Sequence, residues 1–159
     1  MERATLNNCY SLLHQLLDQE KDLNILHFIK SEHPDLQNLM KRIAAASGTG
    51  SKLLEELSQK DPSIRLQDLR LPPGEIAVRD AIAATERNSL LSQTGDEFEL
   101  TLLLTQAEAV SYGWHLAKVA GDMETRPDHV RALAAISQDM KKLHDEVFGM
   151  LLSKKSQKK

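Results

Sequence analysis

Cysteine is nearly absent from this chain: Cys9 is the only one in 159 residues. No internal disulfide is available, so stability has to come from a packed core. Aromatic residues are scarce, with one tryptophan, two tyrosines and three phenylalanines. Leucine and alanine supply the apolar bulk instead, a composition that favours helix. An excess of basic charge is also missing, the formal net charge being -3. Such a balance leaves no electrostatic footprint for nucleic acid, which needs a basic face or stripe. No apolar run approaches the ~20 residues of a membrane span, and the N-terminus lacks the charged-then-apolar pattern of a signal peptide. No membrane association and a cytoplasmic location are therefore expected. Phosphate-binding loops are absent: Ser47-Gly48-Thr49-Gly50-Ser51-Lys52 has the wrong glycine-to-lysine spacing, and no strand precedes it. No Ser-His-Asp arrangement stands out.

What is present is helical periodicity. A first helix is expected from Thr5 to Ile29, ended by Ser31-Glu32-His33-Pro34 because the residue before a proline avoids helical geometry. A second runs from Pro34 to Leu57 with Leu36, Met40, Ile43 and Leu54 on one side. Gly48 and Gly50 read as a weak point or a close helix contact, and an unbroken helix is not expected there. Asp61 to Pro73 holds three of the five prolines and reads as a linker. A connecting helix follows from Glu75 to Gln93. Thr94-Gly95-Asp96-Glu97 has the pattern of a capping box and opens a helix ending at Gly121. Thr125-Arg126-Pro127-Asp128 starts the last helix, whose stripe is Val130, Leu133, Ile136, Met140, His144, Val147 and Leu151. Cys9 falls on the first apolar stripe and reads as a core residue. Lys154, Lys155, Lys158 and Lys159 read as a solvated C-terminal end.

Two glutamates stand out. Leu6, Cys9, Leu13, Leu16, Leu17 and Leu23 all fall within roughly 60° of Glu20 at about 100° per residue. Glu108 has Leu100, Leu104, Tyr112, His115 and Val119 around it in the same way. Each glutamate has a histidine seven residues later, His27 and His115. Buried carboxylates are rare unless paired, protonated or bound to metal. Glu20 and Glu108 are thus the candidate site, with His27, His115, Tyr112 and His144 as accessory groups. A shared proton, a bond to Tyr10, Tyr112 or a buried water, a metal ion, a polar ligand and a charge from another chain are all readings of this pair.

The halves repeat. Tyr10, Leu12, Leu16, Glu20 and His27 match Phe98, Leu100, Leu104, Glu108 and His115. His33-Pro34-Asp35 matches Arg126-Pro127-Asp128, and Met40, Ile43 and Leu54 match Leu133, Ile136 and Val147. Two such hairpins joined by a long crossover resemble the ferritin-like four-helix bundle. The extra helix is similar to one in several uncharacterised bacterial ferritin-like families. The resemblance implies an all-α, antiparallel four-helix bundle in a single domain over residues 1–159. Its parts are a hairpin over 5–58, a crossover and connecting helix over 59–93, and a hairpin over 94–155. It also implies a di-iron site with one glutamate from the first helix of each hairpin and Glu-x-x-His from each second helix. Glu20 and Glu108 fit the lone-glutamate positions. Glu-x-x-His occurs nowhere in the chain. Glu20 is expected level with Met40 to Ala44 and Glu108 with Ile136 to Met140, and both stretches are apolar. The expectation is a non-catalytic binding or assembly protein with no cofactor. The rival is an oxidoreductase binding iron or manganese at an atypical carboxylate site. Leu102, Leu103, Val110 and Trp114 lie opposite Glu108 and need cover. The connecting helix or a second copy, in a homodimer, is expected to supply it.

Overall fold

Five α-helices and the segments between them make up residues 2–22 and 33–157, which the computed structural model describes. No strand occurs among these residues. Helix α1 spans Glu2–Asp22, α2 Pro34–Lys60, α3 Pro73–Ser92, α4 Gly95–Met123 and α5 Pro127–Gln157. The expected continuation of the first helix to Ile29, which includes His27, lies outside the described residues. Pro34 and Pro73 stand in the first turns of α2 and α3, where a missing N–H costs nothing. The capping box does not form: Thr94 is the N-cap of α4, but its side chain makes no capping bond. Gly95 instead takes φ of +60°, a left-handed conformation that suits glycine as the chain turns from α3 into α4.

The break expected at Gly48 and Gly50 does not occur, because α2 is continuous. The close contact does occur. A Cβ on Gly50 would lie 3.0 Å from Leu17 Cδ1 and 3.5 Å from Ile136 Cγ1. Glycine there lets three helices approach, which offsets its poor helix propensity of about 1 kcal/mol.

Helix α1 packs on α2 and α4, α5 packs on the same two, and α3 packs on α4. Cross-helix contacts fix the directions. Asp18 meets Ser51 while His14 meets Glu55, so α1 and α2 are antiparallel. Tyr10 meets Glu124 while Glu20 meets Gln106, so α1 and α4 are antiparallel. Arg42 meets Glu146 while Gly50 faces Ile136, which sets α2 against α5 in the same sense. Glu99 meets Lys154 while Trp114 lies near Lys141, and α4 and α5 are antiparallel too. The core fills the space between these four helices. Leu13, Leu17, Leu39, Ile43, Leu54, Leu102, Leu103, Val110, Leu133, Ile136, Met140 and Val147 are all essentially inaccessible. Each such side chain contributes roughly 1.5–3 kcal/mol by leaving water.

Segment 61–72 does not hang free. Asn8 Nδ2 donates to the carbonyl oxygens of Asp68 and Leu69 at 3.0 and 2.7 Å. The Arg65 N–H donates to Asn7 Oδ1 at 3.1 Å, and the Asp68 N–H donates to Ser11 Oγ at 2.8 Å. Ile64 is buried beneath this strap. Three polar residues of α1 thus satisfy backbone groups that a non-helical segment lying on a core would otherwise leave unpaired.

Candidate functional site

Glu20 is where its spacing from Tyr10, Leu13 and Leu17 puts it, on the inner face of α1, with 7% of its surface exposed. Burial pushes its carboxyl up to about 7, and the charge of Glu86 on α3 adds to the rise. A hydrogen bond with the buried Gln106 of α4 opposes both. Near neutrality this carboxyl is therefore poised between its neutral and ionised forms.

Glu108 is exposed, contrary to the expectation of a matched buried pair. Leu104, His115 and Val119 are exposed with it, and Leu100 is more than a third exposed. The inner face of α4 carries Glu99, Leu102, Leu103, Gln106, Val110, Gly113, Ala117 and Ala120 instead. Rotated by about half a turn, the helix buries what had read as its back. The reason is packing. A Cβ on Gly113 would lie 3.0 Å from Leu16 Cδ2 and 3.6 Å from Met140 Cγ. Small and amide side chains let α4 sit close to α1 and α5, while bulky leucines are tolerated outside. Leu102, Leu103 and Val110 are consequently covered within the chain, as Trp114 is in part, and the back-face homodimer contact expected of them is not available.

The levels differ as well. Asp18–Ser51 and Gly48–Lys21 contacts set Glu20 level with Thr49, not Met40 to Ala44. Helix α4 runs past Gly121 to Met123, which moves the turn. Glu108 is accordingly level with the Leu143–Val147 stretch rather than Ile136 to Met140, as the Glu99–Lys154 and Trp114–Ser137 contacts show.

The accessory residues scatter. His27 lies outside the described residues. Tyr112 Oη accepts a hydrogen bond from Arg79 of α3 at 3.2 Å, and the guanidinium lies 5.3 Å from its ring centre. His115 Nδ1 lies 2.7 Å from the Ser111 carbonyl oxygen one turn back, within its own helix. His144 lies near Trp114 and Phe148, at ring-centre distances of 5.8 and 6.5 Å, and its buried Nδ1 has no hydrogen-bond partner. Tyr112, His115 and His144 are engaged with these other groups instead. Glu86 is the acidic group that connects the two predicted glutamates: burial raises its own carboxyl, and the charge of Glu108 raises it further.

Two buried polar clusters escaped the sequence reading. At one end, Tyr10 Oη donates to Glu124 Oε2 at 2.6 Å and His129 Nδ1 lies 3.3 Å from the same oxygen. The Thr125 N–H donates to Oε1 at 3.1 Å. Burial pushes the Glu124 carboxyl up, but these three donors outweigh it and hold the carboxyl below its usual range. Burial, then the bond to Glu124, pushes the Tyr10 hydroxyl upward. The signal was available: His129 is seven residues before Ile136 and four before Leu133, at the centre of the last stripe. At the other end, Lys154 donates to buried Glu99 at 2.7 Å, and His33 Nδ1 lies 3.0 Å from its other oxygen. Lys154 is thus not part of a solvated end. Both clusters fasten helix termini together. Burial likewise pushes the Cys9 thiol up, away from a reactive thiolate.

No protein-family model, curated protein or solved structure matches the chain.

Proposed function

We propose that the chain is a non-catalytic binding or assembly protein built on a ferritin-like bundle. The antiparallel packing of α1, α2, α4 and α5, with 61–72 and α3 carrying the chain from the end of one hairpin to the start of the next, supports the architecture. The surface supports the function. Leu100 and Leu104 of α4 and Phe148 and Leu152 of α5 are 39, 51, 53 and 50% exposed. The Glu99–Lys154 pair places them at matching levels on adjacent antiparallel helices. Exposed apolar side chains grouped at one level of two adjacent helices are a candidate contact surface. The buried charges, by contrast, are engaged in fastening helices.

This surface is self-complementary in principle, since two copies related by a two-fold axis can lay α4 and α5 across each other. A homodimer through this outer face replaces the one expected through Leu102, Leu103 and Val110. Sedimentation velocity of the full chain across micromolar concentrations tests it. Self-association that Leu104→Glu and Phe148→Glu abolish, with helicity unchanged, is the expected result. A wild type that stays monomeric throughout removes the second copy as occupant. Iron or manganese bound near one equivalent and lost in Glu20→Gln would favour the oxidoreductase rival instead.

A further inference from the structure

Helices α1 and α2 flank an open cleft of about 1200 Å³, whose lining includes residues 64–69 of the crossover. His14 and Asp18 enter it from α1, one helical turn apart and so on one face. Glu55 enters from α2. One donor atom from each of the three lies within 4.8 Å of the others, and His14 Nε2 is 3.0 Å from Glu55 Oε1. Donors bound to a common cation at ~2.0–2.2 Å with tetrahedral angles are ~3.3–3.6 Å apart. Side-chain rotation alone spans that difference.

The surroundings fit a cation. Asp18, Asp22, Glu55 and Asp68 line the cleft beside Arg65, and Arg70 pairs with Asp68 at 2.6 Å, which leaves acidic groups in excess among the described lining residues. The buried Ser51 hydroxyl donates to Asp18 Oδ1 at 2.7 Å, and Lys21 Nζ pairs with the same oxygen at 2.7 Å. Asp18 Oδ2 has neither partner. A carboxylate oriented through one oxygen, with the other left for a metal, is a recurring device at metal centres. One imidazole with two carboxylates suits a first-row divalent ion better than magnesium or calcium, which prefer oxygen alone.

We propose that His14, Asp18 and Glu55 form a binding site for one divalent transition-metal cation, with zinc as the probe. The ion bridges α1 to α2 on the outside of the helix pair, apart from Glu20, and solvent in the cleft completes its coordination. The site does not depend on the assembly reading above. Lys21 competes with the ion for Asp18.

Calorimetric titration of the chelator-treated full chain with Zn²⁺ tests the site. One equivalent per chain is expected, with a rise in melting temperature. His14→Gln and Glu55→Gln should each weaken binding at least tenfold, while Lys21→Ala should tighten it severalfold. His115→Gln, His144→Gln and Glu20→Gln should leave it unchanged. Absence of saturable one-to-one binding overturns the proposal. So does wild-type affinity in both His14→Gln and Glu55→Gln, with circular dichroism as the check that each variant keeps the fold; the His14 side chain is part-buried and that of Glu55 exposed.

Discussion

Replacing Glu20 by glutamine isolates the cost of one buried carboxylate. The side chain keeps its shape and an amide able to pair with Gln106. In the folded chain the carboxyl is raised from 4.5 to about 7. At about 1.4 kcal/mol per pH unit, that rise corresponds to about 3 kcal/mol. The direction follows from proton uptake. The folded state holds the proton more tightly than the unfolded state, so the contribution is fully present below pH 4.5. It is lost as pH rises from 4.5 towards 7, and above 7 the folded state carries the whole penalty of a buried charge. Glu20→Gln never ionises. Its stability relative to wild type should be near zero below pH 4.5 and grow to about 3 kcal/mol above pH 7. Urea unfolding followed by circular dichroism at closely spaced pH values measures this difference. Other titrating groups cancel because both proteins share them. Glu108→Gln, at an exposed position, should give a flat difference over the same range. A Glu20→Gln difference that changes by less than about 1 kcal/mol between those limits would refute the argument that burial controls this carboxyl.

The Tyr10–Glu124–His129 cluster predicts the opposite pH behaviour. Glu124 is held below 4.5 in the folded state, so its contribution is present above pH 4.5 and lost as pH falls through the lowered value. Tyr10→Phe removes one donor and should cost about 1.5–3 kcal/mol near neutrality and shrink the acid-side loss; equal acid midpoints for both proteins would count against it. Glycine replacements should diverge by position. Gly113→Val places methyl groups against Leu16 and Met140 and should destabilise by about 1–3 kcal/mol. Gly149→Ala, with nothing within 4 Å of the added Cβ, should stabilise the last helix by up to about 1 kcal/mol. Thermal unfolding of the two variants checks both signs.

Helical class, the number of long helices and most of their boundaries were legible in the sequence, because proline starts and apolar periodicity are local. The faces of α1, α2 and α5 were legible for the same reason: each carries one apolar stripe against a polar remainder, and Leu13, Leu39 and Leu133 are buried as their spacing requires. Glu20 was found this way. Helix α4 defeated the method because it is apolar nearly all round. Periodicity then fixes no face, and the choice fell to close packing around Gly113 and to the amide of Gln106. Glu108 was therefore paired with Glu20 by a repeat that the tertiary structure does not keep at that position. The clusters on Glu124 and Glu99, the strap of 61–72 on Asn7, Asn8 and Ser11, and the meeting of His14 and Asp18 with Glu55 join residues far apart in the chain. Local spacing carries one partner of each such contact. Which residue meets it is set by helix direction, level and rotation, and those are properties of the packed molecule alone.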